Sequence, residues 1–331
     1  MQIGLDRDPK HFPAMPFLEA EIRRRLWATV LELTVQSSLD SGMPPMISTN
    51  DYDTACPREL NDEDIDKESA DSREQCKTVT DTSIQHILLK AIPVRLQILR
   101  ATNGLCPEMF YDEVLEMDAK LTRFRDECLA MSQRRSNGDS EAFKNTLAEF
   151  LLSRFLVILH AHFALRARTN HVFRGSLNVY PSSGLGSLSL DLDPDFQQLL
   201  VTGGGLFKYC IINSALIVSN QSISVEETKT RLGSPVVDTL KEGEVLRKAL
   251  NCANSLAERR LRSGETNVKL YTTLHMALGH VTTLQAGVSV PLEIARYAKV
   301  ALEKALNILT TQQFHNTQQQ IHRADGYPRA H

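Results

Sequence analysis

EIRRRLWATVLELTVQSSLDSGMPPMI, residues 21–47, decides how the chain is read: three arginines stand against the only tryptophan, an apolar run follows, and the stretch ends in Gly42-Met43-Pro44-Pro45. At about 100° per residue, Ile22, Leu26, Val30 and Leu33 share one stripe, widened by Trp27 and Leu31, which predicts a helix buried over more than half its circumference. Glu21, Arg25, Ala28 and Glu32 form the narrow opposite strip, where Glu21 and Arg25 sit four apart in the favourable order and are expected to be solvated. Arg23 points between Val30 and Trp27, inside the apolar sector, and a guanidinium held there needs a carboxylate or helix-end carbonyls. Glu19, one turn back, is the nearest candidate. A grip on phosphate would need all three guanidiniums on one face, and consecutive helical residues diverge by about 100°. The triplet therefore reads as part of a packed wall. An Asp-Ser-Gly exit and two prolines stop the helix, and Met46 and Ile47 are expected to tuck under the next segment.

The same helical period continues through the chain, and alternation at period two is missing, so the fold class is all-α, a multi-helix array. Helices are predicted over 18–39, 83–101, 107–133, 141–168, 194–219, 237–262, 266–285 and 291–311. Pro93 should kink or split the second, and Gly203-Gly204-Gly205 should weaken the fifth. An acidic, Pro-containing stretch at 50–75 and a Ser/Gly/Pro one at 175–186 read as surface connections. They suggest an N-terminal helical part over 1–175 and a C-terminal one over 176–311, followed by a Gln/His-rich tail, 312–331, expected to be disordered.

At 331 residues with 42% hydrophobic content, the chain can bury a sizeable core, and a formal net charge of −3 gives no global attraction to nucleic acid or membrane. The start Met1-Gln2-Ile3-Gly4-Leu5 lacks the pattern of a secretory signal, so an intracellular setting is expected. FLLSRFLVILHAHFALRA, residues 150–167, approaches membrane-span length, but Arg154, His160, His162 and Arg166 interrupt it and favour a buried helix. The six cysteines, Cys56, Cys76, Cys106, Cys128, Cys210 and Cys252, are scattered without a CxxC and read as reduced thiols.

GLDRDP at 4–9, then the arginine-tryptophan helix with its proline exit, then DYDTACPRELNDEDID at 51–66, resemble in order and spacing the regulatory middle region of fungal-specific transcription factors of the binuclear zinc cluster class. The matching positions are Gly4-Leu5-Asp6-Arg7-Asp8-Pro9, Glu21, Arg23, Arg24, Arg25, Leu26, Trp27, Gly42, Pro44, Asp51, Asp53, Pro57 and Asn61-Asp62-Glu63-Asp64. Thr34 and Asp6 stand where many members carry Asp and His. The resemblance covers about the first 66 residues and implies a helical regulatory domain in a gene-specific regulator of RNA polymerase II transcription, working in the nucleus, often as a dimer. Its partners would be co-regulator proteins or a small effector, with no membrane. Zinc and DNA contact belong, in that family, to an N-terminal six-cysteine module without a counterpart before Met1, so no cofactor is expected in this chain.

Chemical readings are weaker. Asp62-Glu63-Asp64-Ile65-Asp66 contains the DExxD of magnesium-dependent, all-helical terpene synthases, but it lies in a polar loop and no second metal motif follows. Asp191-Leu192-Asp193-Pro194-Asp195 imitates a calcium loop, yet Phe196 and Thr202 occupy the positions that need Gly and Glu, so a helix N-cap is predicted. His160 with His162, and His275 with His280, have spacings unsuited to one metal. Gly184-Leu185-Gly186 follows no strand and is no dinucleotide loop, and Arg259, Arg260 and Arg262 are expected to favour the dipole of their own helix end. No Ser/His/Asp arrangement is visible in the sequence, and no catalytic residue is assigned.

Overall fold

The computed structural model describes residues 4–12, 15–65, 80–104, 109–134, 139–167, 169–179, 183, 193–232, 237–286 and 290–325. Among them the regular structure is helical, with eleven α-helices and short 3-10 turns and no strand. The chain divides into two compact units, 1–179 and 180–331.

The first unit is built on α1 (Phe17–Ser41). Its C-terminus is closed by Gly42 in the left-handed conformation (φ 64°), with Gly42 N–H donating to the Leu39 carbonyl (3.3 Å) and Met43 N–H to that of Ser38 (3.2 Å). Glycine adopts that backbone without the Cβ penalty, and the two bonds satisfy carbonyls that the helix end would otherwise orphan. After a fully solvated Met46 and a buried Ile47, the chain turns at 48–51 and runs back along α1 to a short 3-10 turn at Asp62–Asp64. The expectation that both Met46 and Ile47 would be covered holds only for the isoleucine.

The helix predicted over 83–101 is two, α2 (Ser83–Lys90) and α3 (Ile92–Asn103), parted at Ala91. Pro93 sits in the first turn of α3, where its missing N–H costs nothing. α4 (Tyr111–Arg134) packs along α5 (Asp139–Arg166), and the short α6 (Arg174–Val179), which the periodicity did not reveal, folds back on α5. The apolar core of this unit joins Trp27, Leu31, Val35 and Leu39 of α1 to Leu96 of α3, Val114 of α4 and Phe155 of α5. α5 is the one described helix long and apolar enough to cross a membrane, and most of its apolar residues are buried within the unit, with Leu165 exposed.

The buried face of α1 differs from the expected one. Ile22, Leu26 and Leu33 are 44%, 50% and 55% exposed, whereas Trp27, Leu31, Val35 and Leu39, spaced by four, face the core. Glu21 and Ala28, placed by the pattern on the solvated strip, are buried. Two coverings rotate the buried sector: the core on one side, and the returning segment 51–64 on the other. The latter has no helical period and left no mark on the pattern of α1.

In the second unit, the helix expected over 194–219 is broken into α7 (Pro194–Thr202) and α8 (Gly205–Leu232). A Cβ on Gly203 would lie 2.5 Å from the Leu199 carbonyl and 2.5 Å from the Phe207 ring, so the break needs glycine there. α9 (Val237–Arg262), α10 (Lys269–Ala286) and α11 (Val290–Asp325) complete the unit around Leu250, Leu274, Val281, Ala301 and Ala305. α11 continues past 311 into the stretch read as a disordered tail. Gln312 Nε2 donates to the Leu261 carbonyl (2.8 Å) at the end of α9, which anchors the helix at that point.

α10 and α11 approach closely at Gly279, where a Cβ would meet the Tyr297 ring at 2.4 Å and the Tyr297 Cβ at 2.9 Å. In an unobstructed helix interior, alanine would be better than glycine by about 1 kcal/mol. Here the obstruction is the root of a side chain and cannot swing away, so Gly279→Ala is expected to destabilise by roughly 1–3 kcal/mol. Thermal unfolding followed by circular dichroism checks this, and a raised melting temperature would show that the close approach is wrong.

Candidate functional site

The residues singled out in the sequence converge where segment 4–12, the N-terminal half of α1 and segment 51–64 meet. Asp8 is the centre. Its carboxylate is fully buried and accepts from Arg24 Nε and Nη2 (3.2 Å each), from Ala55 N–H (2.8 Å) and from Lys10 N–H (2.9 Å). Burial pulls its pKa up, but the Arg24 hydrogen bonds, the two backbone N–H groups and the Arg24 charge outweigh it and hold the group at about 2. Asp53 repeats the device in reverse: its Oδ1 accepts from Asp8 N–H (2.8 Å), and its Oδ2 faces Arg7 (3.4 Å) and His11 (3.0 Å). The Asp8 N–H bond is the chief cause that holds the Asp53 carboxyl below its usual range. Asp53 N–H and Thr54 Oγ1 donate to the carbonyls of Asp6 (3.0 Å) and Leu5 (2.6 Å), so the two segments are laced together along their backbones.

The three arginines serve three partners. Arg23 donates to the Gly4 carbonyl (2.8 Å), where the spacing had suggested Glu19, and its guanidinium lies 5.4 Å from the centre of the Phe12 ring. Arg24 holds Asp8. Arg25, expected in solvent, is largely covered: it contacts Glu21 (3.5 Å), pairs with Asp62, and donates to the Leu60 carbonyl (3.0 Å). Glu21, expected to be solvated with it, is fully buried and accepts from Arg58 N–H (2.8 Å). Divergence by about 100° per residue is what lets one triplet bind two segments of chain, 4–12 through Arg23 and Arg24 and 51–64 through Arg25.

The remaining motif positions are placed as follows. Trp27 is buried, with its ring edge-on to Tyr52 at 5.4 Å. Leu26 is half exposed and outside the cluster. Gly42 and Pro44 belong to the exit of α1, far along the helix, with Pro44 exposed. Asp51 accepts from Ser48 N–H (2.6 Å) and closes a turn, and Pro57 is buried.

A second polar array lies along the other half of α1, and sequence reasoning missed it. Glu32, Gln36 and Asp40, spaced by four, meet two fully buried arginines. Glu32 Oε1 and Oε2 accept from Arg95 Nη1 and Nη2 (2.8 Å each), while Arg154 reaches Gln36 and Asp40. Arg95 also donates to the Leu88 carbonyl (2.5 Å) and lies 5.4 Å from the Phe155 ring centre. Burial keeps the Asp40 carboxyl above its usual pKa despite the Arg154 charge. The signal was available: three polar residues at i, i+4 and i+8, and an arginine within the apolar run of α5.

The structure also assembles a Ser/His/Asp triplet that sequence could not show. His160 Nδ1 is 2.9 Å from Ser176 Oγ and its Nε2 is 3.6 Å from Asp118; Ser176 Oγ donates to Tyr111 OH (3.2 Å). His160 and Ser176 are both buried, so no substrate reaches the hydroxyl, and the triplet ties α6 to α4 and α5. Cys128 is buried, and burial pushes its thiol pKa up to about 12, which leaves it a poor nucleophile at neutral pH.

Asp62 of the DExxD sequence is engaged by Arg25, and Asp66 lies outside the described residues. Asp193 caps α7 through Asp195 N–H and Phe196 N–H (3.0 Å each), as read. Arg260 does not serve its own helix end: it is buried and donates to the Leu200 and Gly203 carbonyls at the end of α7, and pairs with Glu265 (2.8 Å). Among the described residues no group of three or more His, Cys, Asp or Glu is placed to hold a metal ion.

The fungal specific transcription factor domain matches residues 1–149, which take in the Asp8 cluster, α1 to α4 and the start of α5. Residues 1–149 belong to that family. Across its length it is similar to transcription factor asR3 of Sarocladium schorii (31% identical, 92% of this chain and 39% of that protein) and to transcription factor lepE of Aspergillus flavus (32%, 86% and 36%). It is also similar to the aspyridones cluster regulator apdR of Emericella nidulans (30%, 63% and 31%). The chain thus spans well under half the length of these relatives. No solved structure matches it.

In this fungal transcription factor domain, the Asp8 pair has a definite pH signature. A carboxyl whose folded pKa lies below its unfolded value contributes stability that is complete above the unfolded pKa and is lost as pH falls towards the folded one. For Asp8 that window runs from about pH 4 down to about pH 2. Asp8→Asn keeps the shape but leaves the Arg24 guanidinium with only the more distant Glu21 carboxylate (3.8 Å) as counter-charge, at an expected cost of roughly 2–4 kcal/mol. Urea unfolding at pH 7 checks the loss. A variant as stable as the parent would mean that the buried pair contributes nothing to the fold.

Proposed function

We propose that the two helical units form the regulatory part of a nuclear, gene-specific regulator of RNA polymerase II transcription, with no catalytic chemistry of their own. The observation that carries this reading is sequence similarity extending through both units, at 31% and 32% identity, to proteins named as transcription factors. The geometry of the Asp8 cluster supports it. Asp8, Asp53, Glu21 and the three arginines are each spent on another part of the same chain, which makes the cluster a clasp and not a site that receives a substrate. Catalysis would need accessible, unspent groups.

DNA contact is assigned to a zinc-cluster module acting with these units. Their own role is to present surfaces to co-regulator proteins or a small effector, and to shift between conformations that differ in how they display those surfaces. The relative named as a cluster regulator supports the narrower reading that the controlled genes form a biosynthetic cluster.

Joining the chain to a heterologous DNA-binding module in a filamentous fungus tests this. Reporter output from a cognate promoter should differ at least about threefold from that of the DNA-binding module alone, and a fluorescent version of the fusion should collect in the nucleus. Output equal to that of the bare module would overturn the proposal.

A further inference from the structure

The exit of α1 carries apolar side chains into water on a backbone that is held still. Residues 41–50, SGMPPMISTN, contain no charge. Leu39 before the turn and Ile47 after it are buried in the core of the first unit. Between these anchors Met43 is 61% and Met46 97% exposed, Pro44 is exposed, and Pro45 is half-buried. A single apolar side chain in solvent calls for no explanation, but a run of four at one turn is a different matter. Looseness of the loop does not account for it. Besides the Gly42 cap, Asn103 Nδ2 at the end of α3 donates to the carbonyls of Met43 (3.1 Å) and Ser38 (3.3 Å), and Arg100 Nη2 donates to that of Ile47 (3.2 Å). The proline rings fix φ of Pro44 and Pro45 at about −65°, and a following proline keeps Met43 and Pro44 out of the helical region. The chain is thus fastened at both ends and extended in between.

We propose that this ridge is a recognition element that seats in an uncharged, aromatic-lined groove on a co-regulator protein. Three properties select that occupant. Consecutive residues as open as Met43, Pro44 and Met46 form a ridge, which only a concave surface covers on more than one side. The absence of charge over residues 41–50 leaves an acidic or basic surface nothing to pair with. Proline rings in a preformed extended run dock on aromatic side chains at little cost in entropy, and the methionine thioether makes favourable contacts with aromatic rings while its unbranched chain adapts to the groove. Both residue types therefore ask for the same partner surface.

This docking rests on the regulatory reading above and gives the co-regulator a place on the first unit, at the opposite end of α1 from the Asp8 clasp. Because Asn103 and Arg100 already order the backbone, binding costs little more than the freedom of two methionine side chains.

The whole chain joined to a heterologous DNA-binding module tests it through two paired substitutions, Met43→Ser with Met46→Ser, and Pro44→Ala with Pro45→Ala. Each pair should bring reporter output to within about 1.5-fold of the bare module, from at least about threefold for the parent. Nuclear fluorescence should be unchanged, and the methionine variant should melt within about 3 °C of the parent, since both side chains lie in solvent. Leu292→Ser, which removes an apolar side chain 72% exposed in the second unit, should leave output at the parent level. For the groove itself, Met46→p-benzoylphenylalanine is cross-linked by light in the fungus and the attachment points are read by mass spectrometry. They should fall among clustered aromatic side chains of another protein. A parent that regulates while both paired variants regulate equally well would overturn the docking and leave the regulatory reading standing, whereas a parent equal to the bare module would overturn both. Equal loss with Leu292→Ser, or cross-links that are absent, confined to a charged surface or made to a second copy of the chain, would overturn the aromatic groove as the occupant.

Discussion

The first unit depends on a buried carboxylate matched to a guanidinium on the next element. Asp8 sits without solvent, and a lone ionised carboxylate there would cost several kcal/mol. Arg24 and the N–H groups of Ala55 and Lys10 supply what water would have supplied, and each comes from a different part of the chain. The ion pair can therefore form only when segment 4–12, α1 and segment 51–64 are all in place. The same logic governs Glu21, which needs Arg58 N–H from the returning segment and Arg25 from its own helix. Such pairs contribute less to raw stability than apolar residues of equal volume could. What they add is selection of one arrangement, since any misplacement leaves a buried charge without its partner.

This explains why α1 is so poor a guide to its own environment. Its core stripe of Trp27, Leu31, Val35 and Leu39 was partly legible, because Trp27 and Leu31 flanked the expected face. The other buried strip is polar, and a hydrophobic pattern assigns polar residues to solvent. Glu21 and Arg25 on one end, and Glu32, Gln36 and Asp40 on the other, are covered by partners that lie 35 to 118 positions away in the sequence. Nothing local to α1 announces Arg95 or Arg154. Elements fared better than faces. The break at Pro93, the N-cap at Asp193 and the left-handed stop at Gly42 all follow from backbone chemistry that a few neighbouring residues determine. The break at Gly203 was half visible: three glycines weaken a helix, but the demand for glycine comes from Phe207 folding back on it.

The arginine triplet carries the sharpest lesson. Read as composition, three adjacent cations look like an anion site; read as geometry, they cannot share a face. The structure gives each a separate acceptor, at Gly4, at Asp8 and at Asp62 with Leu60. Arg260 behaves similarly, since a basic cluster near the end of α9 turns out to close the end of α7. In both places the guanidinium acts as a connector whose several donors satisfy carbonyls and carboxylates of foreign segments, a use to which lysine, a compact point charge with no planar fork, is poorly suited.

Segment 4–12 is held differently from the helices it touches. Its attachments are the Arg23 bond to the Gly4 carbonyl, the Arg24 pair with Asp8, and the Asp53 and Thr54 contacts to Asp8 N–H and the Leu5 carbonyl. Phe12 is 39% exposed beside the Arg23 guanidinium, Pro9 is buried, and Leu5 packs against the apolar core. Releasing the segment would expose charges and backbone groups that water solvates well, while opening α3 or α5 would expose leucines and phenylalanines that it does not. The two costs are therefore separable. Apolar burial supplies the larger share of the first unit's stability, whereas the order of segment 4–12 rests mainly on electrostatics: the exposed Arg7–Asp53 pair weakens with salt, while the buried Asp8–Arg24 pair, which salt screens little, is lost as pH falls from about 4 towards about 2.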